Sequence, residues 1–125
     1  MSYISTSDIT NKLCDGFELE PYIQESDQAL EDLAQTLGAD AADIDTTPLH
    51  FKLRRYAIVY VIMRLCQDKA GGASVEIPEA NKYLIGYEMH RKELDALTKQ
   101  INYEMVTGNV NAVRDRVASV SVWRG

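Results

Sequence analysis

The chain has 125 residues, of which 46% are hydrophobic and 26% are charged. This length is typical of one domain with a single core, and the composition excludes general disorder and fibrous repeats. The longest apolar run, Tyr56 to Met63, is far shorter than the roughly 20 residues of a membrane-spanning helix. The first residues lack the basic start and apolar core of a signal peptide, so we expect folding in the cytoplasm.

The net charge of −6 is unevenly distributed along the chain. Residues 1–47 contain eleven acidic residues and one basic residue, Lys12, which gives −10, whereas residues 48–125 contain eight acidic and twelve basic residues, which gives +4. Two explanations are open. Either two faces of the protein are solvated differently, or subunits associate head to tail, with the acidic front of one against the basic back of the next.

The first 47 residues predict two helices. Ser5 followed by Asp8 is a capping pattern that predicts a short first helix, with a stop at Asp15-Gly16. Pro21 is well placed in the first turn of a second helix, which Gly38 ends. One face of this second helix is apolar, with Ala29, Leu30, Leu33 and Leu37, and the other is acidic, with Glu25, Asp27, Glu31 and Asp32.

The third predicted helix is the most apolar part of the chain. Thr47-Pro48 resembles a cap followed by a first turn, and the helix can run to Ala70 before Gly71-Gly72 stops it. Its middle, residues 56–63, is apolar on every side, which predicts a central helix surrounded by other helices or subunits. A basic group occupies its first turns and is a candidate for inter-subunit or phosphate contacts, with a solvated face as the alternative: Lys52, Arg54 and Arg55.

The longest periodic segment follows Pro78 and predicts one helix of about 30 residues that ends at Gly108. Its apolar positions recur at spacings of three and four residues, which is nearly a heptad seam. Such a seam is typical of one side of a helical bundle and also of paired helices. The seam consists of Tyr83, Tyr87, His90, Leu94, Leu97, Ile101 and Met105.

The C-terminal residues differ in kind, because Val117 to Trp123 alternate with period two and are rich in β-formers. This segment predicts a strand, which would need a partner chain because the sequence offers no confident second strand. We therefore expect an all-α, four-helix bundle-like single domain over residues 1–112 and an extended interaction arm over residues 113–125. The candidate partner-binding residues are Arg116, Val117, Val120, Val122, Trp123 and Arg124.

The sequence contains no recognisable catalytic or metal-binding motif. Cys14 and Cys66 have no CxxC partner, and His50 and His90 complete no zinc pattern. The two cysteines are expected to be small buried hydrophobic residues. HExxH, GxSxG and phosphate-loop motifs are absent from the sequence. We therefore predict that the protein is not an enzyme and has no catalytic residues, cofactor or metal.

Three stretches resemble the head-to-tail connector (neck adaptor) proteins of tailed bacteriophages. They are the opening Tyr3-Ile4-Ser5-Thr6-Ser7-Asp8-Ile9, the entry Thr47-Pro48-Leu49 to the apolar helix that runs to Arg64-Leu65-Cys66-Gln67-Asp68, and Asn81-Lys82-Tyr83-Leu84 at the start of the last helix. The resemblance covers nearly the whole chain and lies in cap and core positions.

This resemblance implies a helical-bundle subunit of a ring, typically a dodecamer, that lies beneath the portal protein of the capsid. DNA would pass through the lumen without sequence recognition, and a tail or neck-completion protein would follow. In that family a C-terminal arm commonly docks on the portal, a role that falls here to Val113 through Gly125. The implied location is the neck of the virion, after synthesis in the host cytoplasm, with no membrane contact.

Two other functions stay open at this stage. One is a dimeric helical regulator or chaperone that pairs through the seam between Tyr83 and Met105. The other is an enzyme or a nucleic-acid binder whose site residues come together only in the fold.

Overall fold

A computed structural model describes residues 2–72 and 78–108, and over these residues the fold is all-α, as predicted. The strand predicted at Val117 to Trp123, and the arm of residues 113–125 as a whole, lie outside the described residues. The α-helices of the described residues are α1 (Glu20–Thr36), α2 (Phe51–Gly72), α3 (Pro78–Gln100) and α4 (Tyr103–Thr107).

Helix α2 is the central helix, as its apolar middle predicted. Residues Leu53, Ala57, Val59, Val61 and Leu65 on it are completely buried. It packs against both α1 and α3. Since the helix is apolar around most of its circumference, burial on several sides removes more apolar surface from water than packing on one side would.

Helices α1 and α3 lie on opposite sides of α2. Arg64 of α2 binds Glu25 of α1, with Nε 2.9 Å from Oε2, whereas Arg55 of α2 binds Glu93 of α3 through two hydrogen bonds of 2.5 and 3.0 Å. The two arginines are nine residues apart, which is about two and a half turns of an α-helix, so they point in opposite directions. The three long helices therefore lie side by side, with α2 in the middle.

The N-terminal segment covers a further side of α2 but is not the continuous short helix that we predicted. It forms two single 3₁₀ turns, Thr6–Asp8 and Lys12–Cys14. The predicted cap is present, because Asp8 Oδ2 accepts a 2.8 Å hydrogen bond from the N–H of Ser5. Ile9 is extended, however, and Asn11 Oδ1 accepts from the N–H of Leu13 and caps a second turn. The prediction of one helix was wrong because Asn11 starts a new turn inside it.

Helix α2 begins at Phe51, three residues later than predicted. The N–H and the hydroxyl of Thr47 both donate to Asp45 Oδ1, at 3.0 and 2.9 Å, so Thr47 does not cap the helix. His50 takes that role, because its Nδ1 accepts from the N–H of Lys52 at 3.1 Å. The Thr47-Pro48 peptide bond is cis.

The helix predicted from Pro78 to Gly108 is interrupted, so that prediction was also wrong. Helix α3 ends at Gln100, and Asn102 caps the short α4 by accepting a 2.9 Å hydrogen bond from the N–H of Met105. Asparagine is favoured at N-caps because its side chain satisfies a free backbone N–H there, which it does not do inside a helix. Gly108, with φ of 65°, ends α4 where the sequence predicted a stop.

The seam of the last helical segment lies inside the subunit. Its members His90, Leu97 and Ile101 are buried, and the others pack against the core as half-buried side chains: Tyr83, Tyr87, Leu94 and Met105. In this conformation the seam is therefore occupied by contacts within one chain and does not form an exposed apolar face for pairing.

Candidate interaction surfaces

The basic group at the start of α2 is engaged within the subunit at two of its three positions. Arg54 forms an ion pair with Asp8 of the N-terminal segment, and Arg55 forms the bidentate pair with Glu93 of α3. The hydrogen bond from Arg55 raises the pKa of its own guanidinium and lowers the pKa of Glu93. Both pairs tie other parts of the fold to α2, and Lys52 lies beside them with a half-buried side chain.

The acidic face of α1 is also partly used inside the fold. Tyr3 donates its backbone N–H to Asp27 Oδ1 and its hydroxyl to Glu31 Oε1, each at 3.0 Å. Glu25 is held by Arg64. Asp32 remains exposed and accepts a 2.9 Å hydrogen bond from Gln28. The predicted acidic surface of α1 is therefore narrower than the sequence indicates.

The tyrosine contacts predict a loss of stability at alkaline pH. Burial, followed by the hydrogen bond to Glu31, raises the pKa of Tyr3 to about 12, and burial with the hydrogen bond to Asp68 raises that of Tyr22 to about 12. A folded-state pKa above the ordinary value near 10 stabilises the protein below pH 10, and this contribution is lost as the pH rises through about 12. We expect the melting temperature, measured by circular dichroism, to fall between about pH 10 and pH 12.

The matched control is the double variant Tyr3→Phe/Tyr22→Phe, which has no hydroxyl to ionise at either position. Its melting temperature at neutral pH should be lower than that of the unsubstituted chain, because both hydrogen bonds are lost. Its further decrease between pH 10 and 12 should be smaller. An equal decrease in the two proteins would show that these hydroxyls do not cause it.

Four large apolar side chains are exposed on α2 and α3, and sequence reasoning missed them as surface residues. Phe51, at the start of α2, is 70% exposed, and its ring stacks on His50 with centroids 4.7 Å apart. Leu84, Ile85 and Met89 on α3 are 46%, 56% and 62% exposed. For the three residues of α3, the available signal was their position off the seam, since apolar residues outside the inward stripe of an amphipathic helix lie away from the core. These residues are the main apolar surface that the described fold leaves uncovered.

An open cavity of about 560 Å³ lies beside the N-terminus of α2. The described residues of its lining are more apolar than polar, and they present hydroxyl groups but no carboxylate, imidazole or thiol. Such a lining suits an apolar group better than an ion. The lining residues are Ser2, Tyr3, Ala41, Ile44, Thr46, Thr47 and Leu49.

The cysteines and histidines have structural positions. Cys14 and Cys66 are buried free thiols, as predicted, and burial raises the pKa of both, that of Cys14 to about 11. His90 is buried with Nδ1 2.6 Å from the carbonyl oxygen of Gly86, and His50 caps α2. Among residues 2–72 and 78–108, no group of three or more histidine, cysteine or carboxylate side chains has an arrangement that would hold a metal ion.

The C-terminal candidates lie outside the described residues: Arg116, Val117, Val120, Val122, Trp123 and Arg124. The helices in the described part of the chain include none that is long and apolar enough to cross a membrane. Comparison of the chain with protein-family models, with curated proteins and with solved structures returned no match.

Proposed function

We propose that the chain is a structural subunit of a bacteriophage head-to-tail connector, which forms a ring beneath the portal and lets DNA pass to the tail. The observation that carries this proposal is the exposure of Leu84, Ile85 and Met89 on α3. Ile85 and Met89 are four residues apart on one stripe of α3, and large exposed apolar side chains that lie together are typical of sites that bind other proteins. A ring subunit needs such a surface on each copy.

The segments that resemble the connector family support the proposal through their positions in the fold. Tyr3 to Ile9 binds α1 through Tyr3 and α2 through Asp8. Thr47 to Leu49 forms the turn that leads into the central helix α2, and Asn81 to Leu84 lies near the start of α3. Each segment that carries the resemblance therefore helps to build the helical subunit, as expected of a shared subunit fold.

The C-terminal residues supply the portal contact in this proposal. The subunit is a four-helix bundle-like domain over residues 1–112, and residues 113–125 extend from it as a β-type arm. Val117, Val120, Val122 and Trp123 anchor the arm on the portal by strand addition, with Arg116 and Arg124 as charged edges. The other partners are further copies of the chain, a tail or neck-completion protein, and the DNA in the lumen.

Particle shape and mass test the proposal. The purified chain is examined by negative-stain microscopy and mass measurement, alone and after mixing with the portal protein of the phage that encodes it. We expect rings with a central channel, present from the start or formed on the portal. A constant monomer or compact dimer under both conditions would contradict the proposal.

The two other functions receive less support from the described residues. A regulator that pairs through the Tyr83 to Met105 seam would need that seam exposed, and the seam packs inside the subunit. A nucleic-acid binder that uses the basic group would need Arg54 and Arg55 free of the carboxylates that they bind. Selective retention of DNA at physiological salt would nevertheless favour the binder over the connector.

A further inference from the structure

We propose that residues 109–112 of the same chain, Asn-Val-Asn-Ala, fill the open cavity beside the N-terminus of α2. This segment directly follows Gly108, the last described residue. The inference goes beyond the proposed function, because the contact lies within one subunit and does not require a ring. It also names the place from which residues 113–125 leave the subunit.

The cavity is an open part of one of the two core clusters. Ile44, which lines it, is buried in the same cluster as Val106 of α4, and Tyr3 and Leu49 of the lining pack against that cluster. Its volume of about 560 Å³ is typical of pockets that enclose a ligand of drug size, so it can take a few side chains. Apolar groups that enter the cavity are removed from water and extend the core.

The chain leaves the described residues at the edge of this cavity. The N–H of Asp45 donates a 2.8 Å hydrogen bond to the carbonyl oxygen of Val106. Gly108 lies against the side chain of the same aspartate, since a Cβ atom built on Gly108 would be 2.9 Å from Asp45 Cγ. The two chain neighbours of Asp45, Ile44 and Thr46, both line the cavity. Four extended residues span about 13 Å, so the segment after Gly108 is long enough to enter it.

The composition of this segment suits the cavity. Asparagine alternates with a small apolar residue, so an extended backbone places Val110 and Ala112 on one side and the two asparagines on the other. The apolar part of the lining suits the first pair. A buried backbone also needs hydrogen-bond partners, and the hydroxyls of Ser2, Thr46 and Thr47 can supply them at the cavity wall.

The position of the segment favours it over other occupants. Because Asp45 holds the end of α4 at the edge of the cavity, the residues that follow are present there at a high effective concentration. They enter without the loss of translational and rotational freedom that a second copy or a separate ligand would incur. A competitor would therefore have to displace the chain's own segment.

Thiol labelling of the full-length chain tests this contact. Val110→Cys places a thiol on the side of the segment that enters the cavity, and Asn111→Cys, the matched control, places one on the opposite side. The unsubstituted chain gives the background rate, since Cys14 and Cys66 are buried free thiols. Because a thiol must be accessible to react, the Val110→Cys chain should react at least about tenfold more slowly than the Asn111→Cys chain.

A second substitution in the Val110→Cys chain connects this protection to the cavity. Ala41→Trp places a bulky ring at an exposed lining position and should displace the segment, which raises the labelling rate toward that of the Asn111→Cys chain. Ala42→Trp is the matched control, because Ala42 is exposed on the same 3₁₀ turn but does not line the cavity, so labelling should stay slow. Circular dichroism confirms that each variant is folded.

The outcomes separate this inference from the proposed function. Equal labelling rates for the Val110→Cys and Asn111→Cys chains would overturn the cavity contact, as would protection that Ala41→Trp leaves unchanged. Protection that decreases on dilution would assign the cavity to a segment of a second copy and would also overturn it. Failure of this contact leaves the connector proposal standing, whereas protection in a chain that never forms rings would support this contact alone.

Discussion

Removal of residues 118–125 is expected to abolish binding to the portal protein and to leave helical circular dichroism and melting temperature nearly unchanged. The two core clusters of the described residues are built from side chains between Ile4 and Val106. In the proposed arm, in contrast, the backbone groups form hydrogen bonds with a partner and the apolar side chains are buried against it. Binding to immobilised portal, measured beside thermal unfolding, separates the two roles.

Within the arm, Trp123 should carry much of the binding energy. Truncation of a tryptophan that fills a central interface pocket typically weakens the binding free energy by about 2 kcal/mol or more, which is roughly a 30-fold loss of affinity. Trp123→Ala should show this loss, and Trp123→Phe, which keeps an aromatic ring, should lose less. Full affinity in Trp123→Ala would remove this residue from the interface, whereas unfolding of the truncated chain would assign the arm to the subunit's own core.

The sequence predicted well those features that depend on neighbouring residues. Gly38 ends α1 as predicted, and Gly108 ends α4 at the position where the single long helix was predicted to stop; both glycines have positive φ. The apolar periodicity identified α1 and the central position of α2, because burial follows directly from the distribution of apolar side chains around a helix.

The errors come from residues that compete for the same local role. Thr47 and His50 both precede α2, and contact with Asp45 decides that His50 is the cap. Asn102 interrupts a seam whose apolar spacing continues unbroken through Met105. The spacing of the apolar residues does not reveal such a break, because the apolar residues of α4 again point toward the core after the cap at Asn102.

The partners of the basic group required the three-dimensional fold. Asp8 and Arg54 are 46 residues apart, and Arg55 and Glu93 are 38 residues apart. No local rule pairs them, since each contact depends on which sides of α2 the N-terminal segment and α3 occupy. The same holds for the exposure of Leu84, Ile85 and Met89 on α3, which depends on which sides of this helix the other elements cover.

The second large effect is expected at Gly86, where α3 lies close to both α2 and the N-terminal segment. A Cβ atom at this position would lie 2.8 Å from Leu13 Cδ1 and 3.0 Å from Cys66 Sγ, both below ordinary van der Waals contact. Gly86→Val should therefore destabilise the fold by about 1–3 kcal/mol through overpacking. Gly71→Val is the matched control, because Gly71 is also helical but, among the described residues outside its own stretch of helix, no atom lies within 4 Å of the added carbon. Urea unfolding measures both changes.

The strain at Gly86 should be shared with Leu13, whose half-buried side chain ends at the closest of these contacts. Leu13→Ala alone removes apolar contacts and destabilises the fold, but in the Gly86→Val background it also makes room for the new methyl groups. The double variant should therefore be more stable than the sum of the single changes indicates, by about 0.5 kcal/mol or more. Additive changes would mean that Cys66 and the backbone of α2, rather than Leu13, limit how closely α3 can pack.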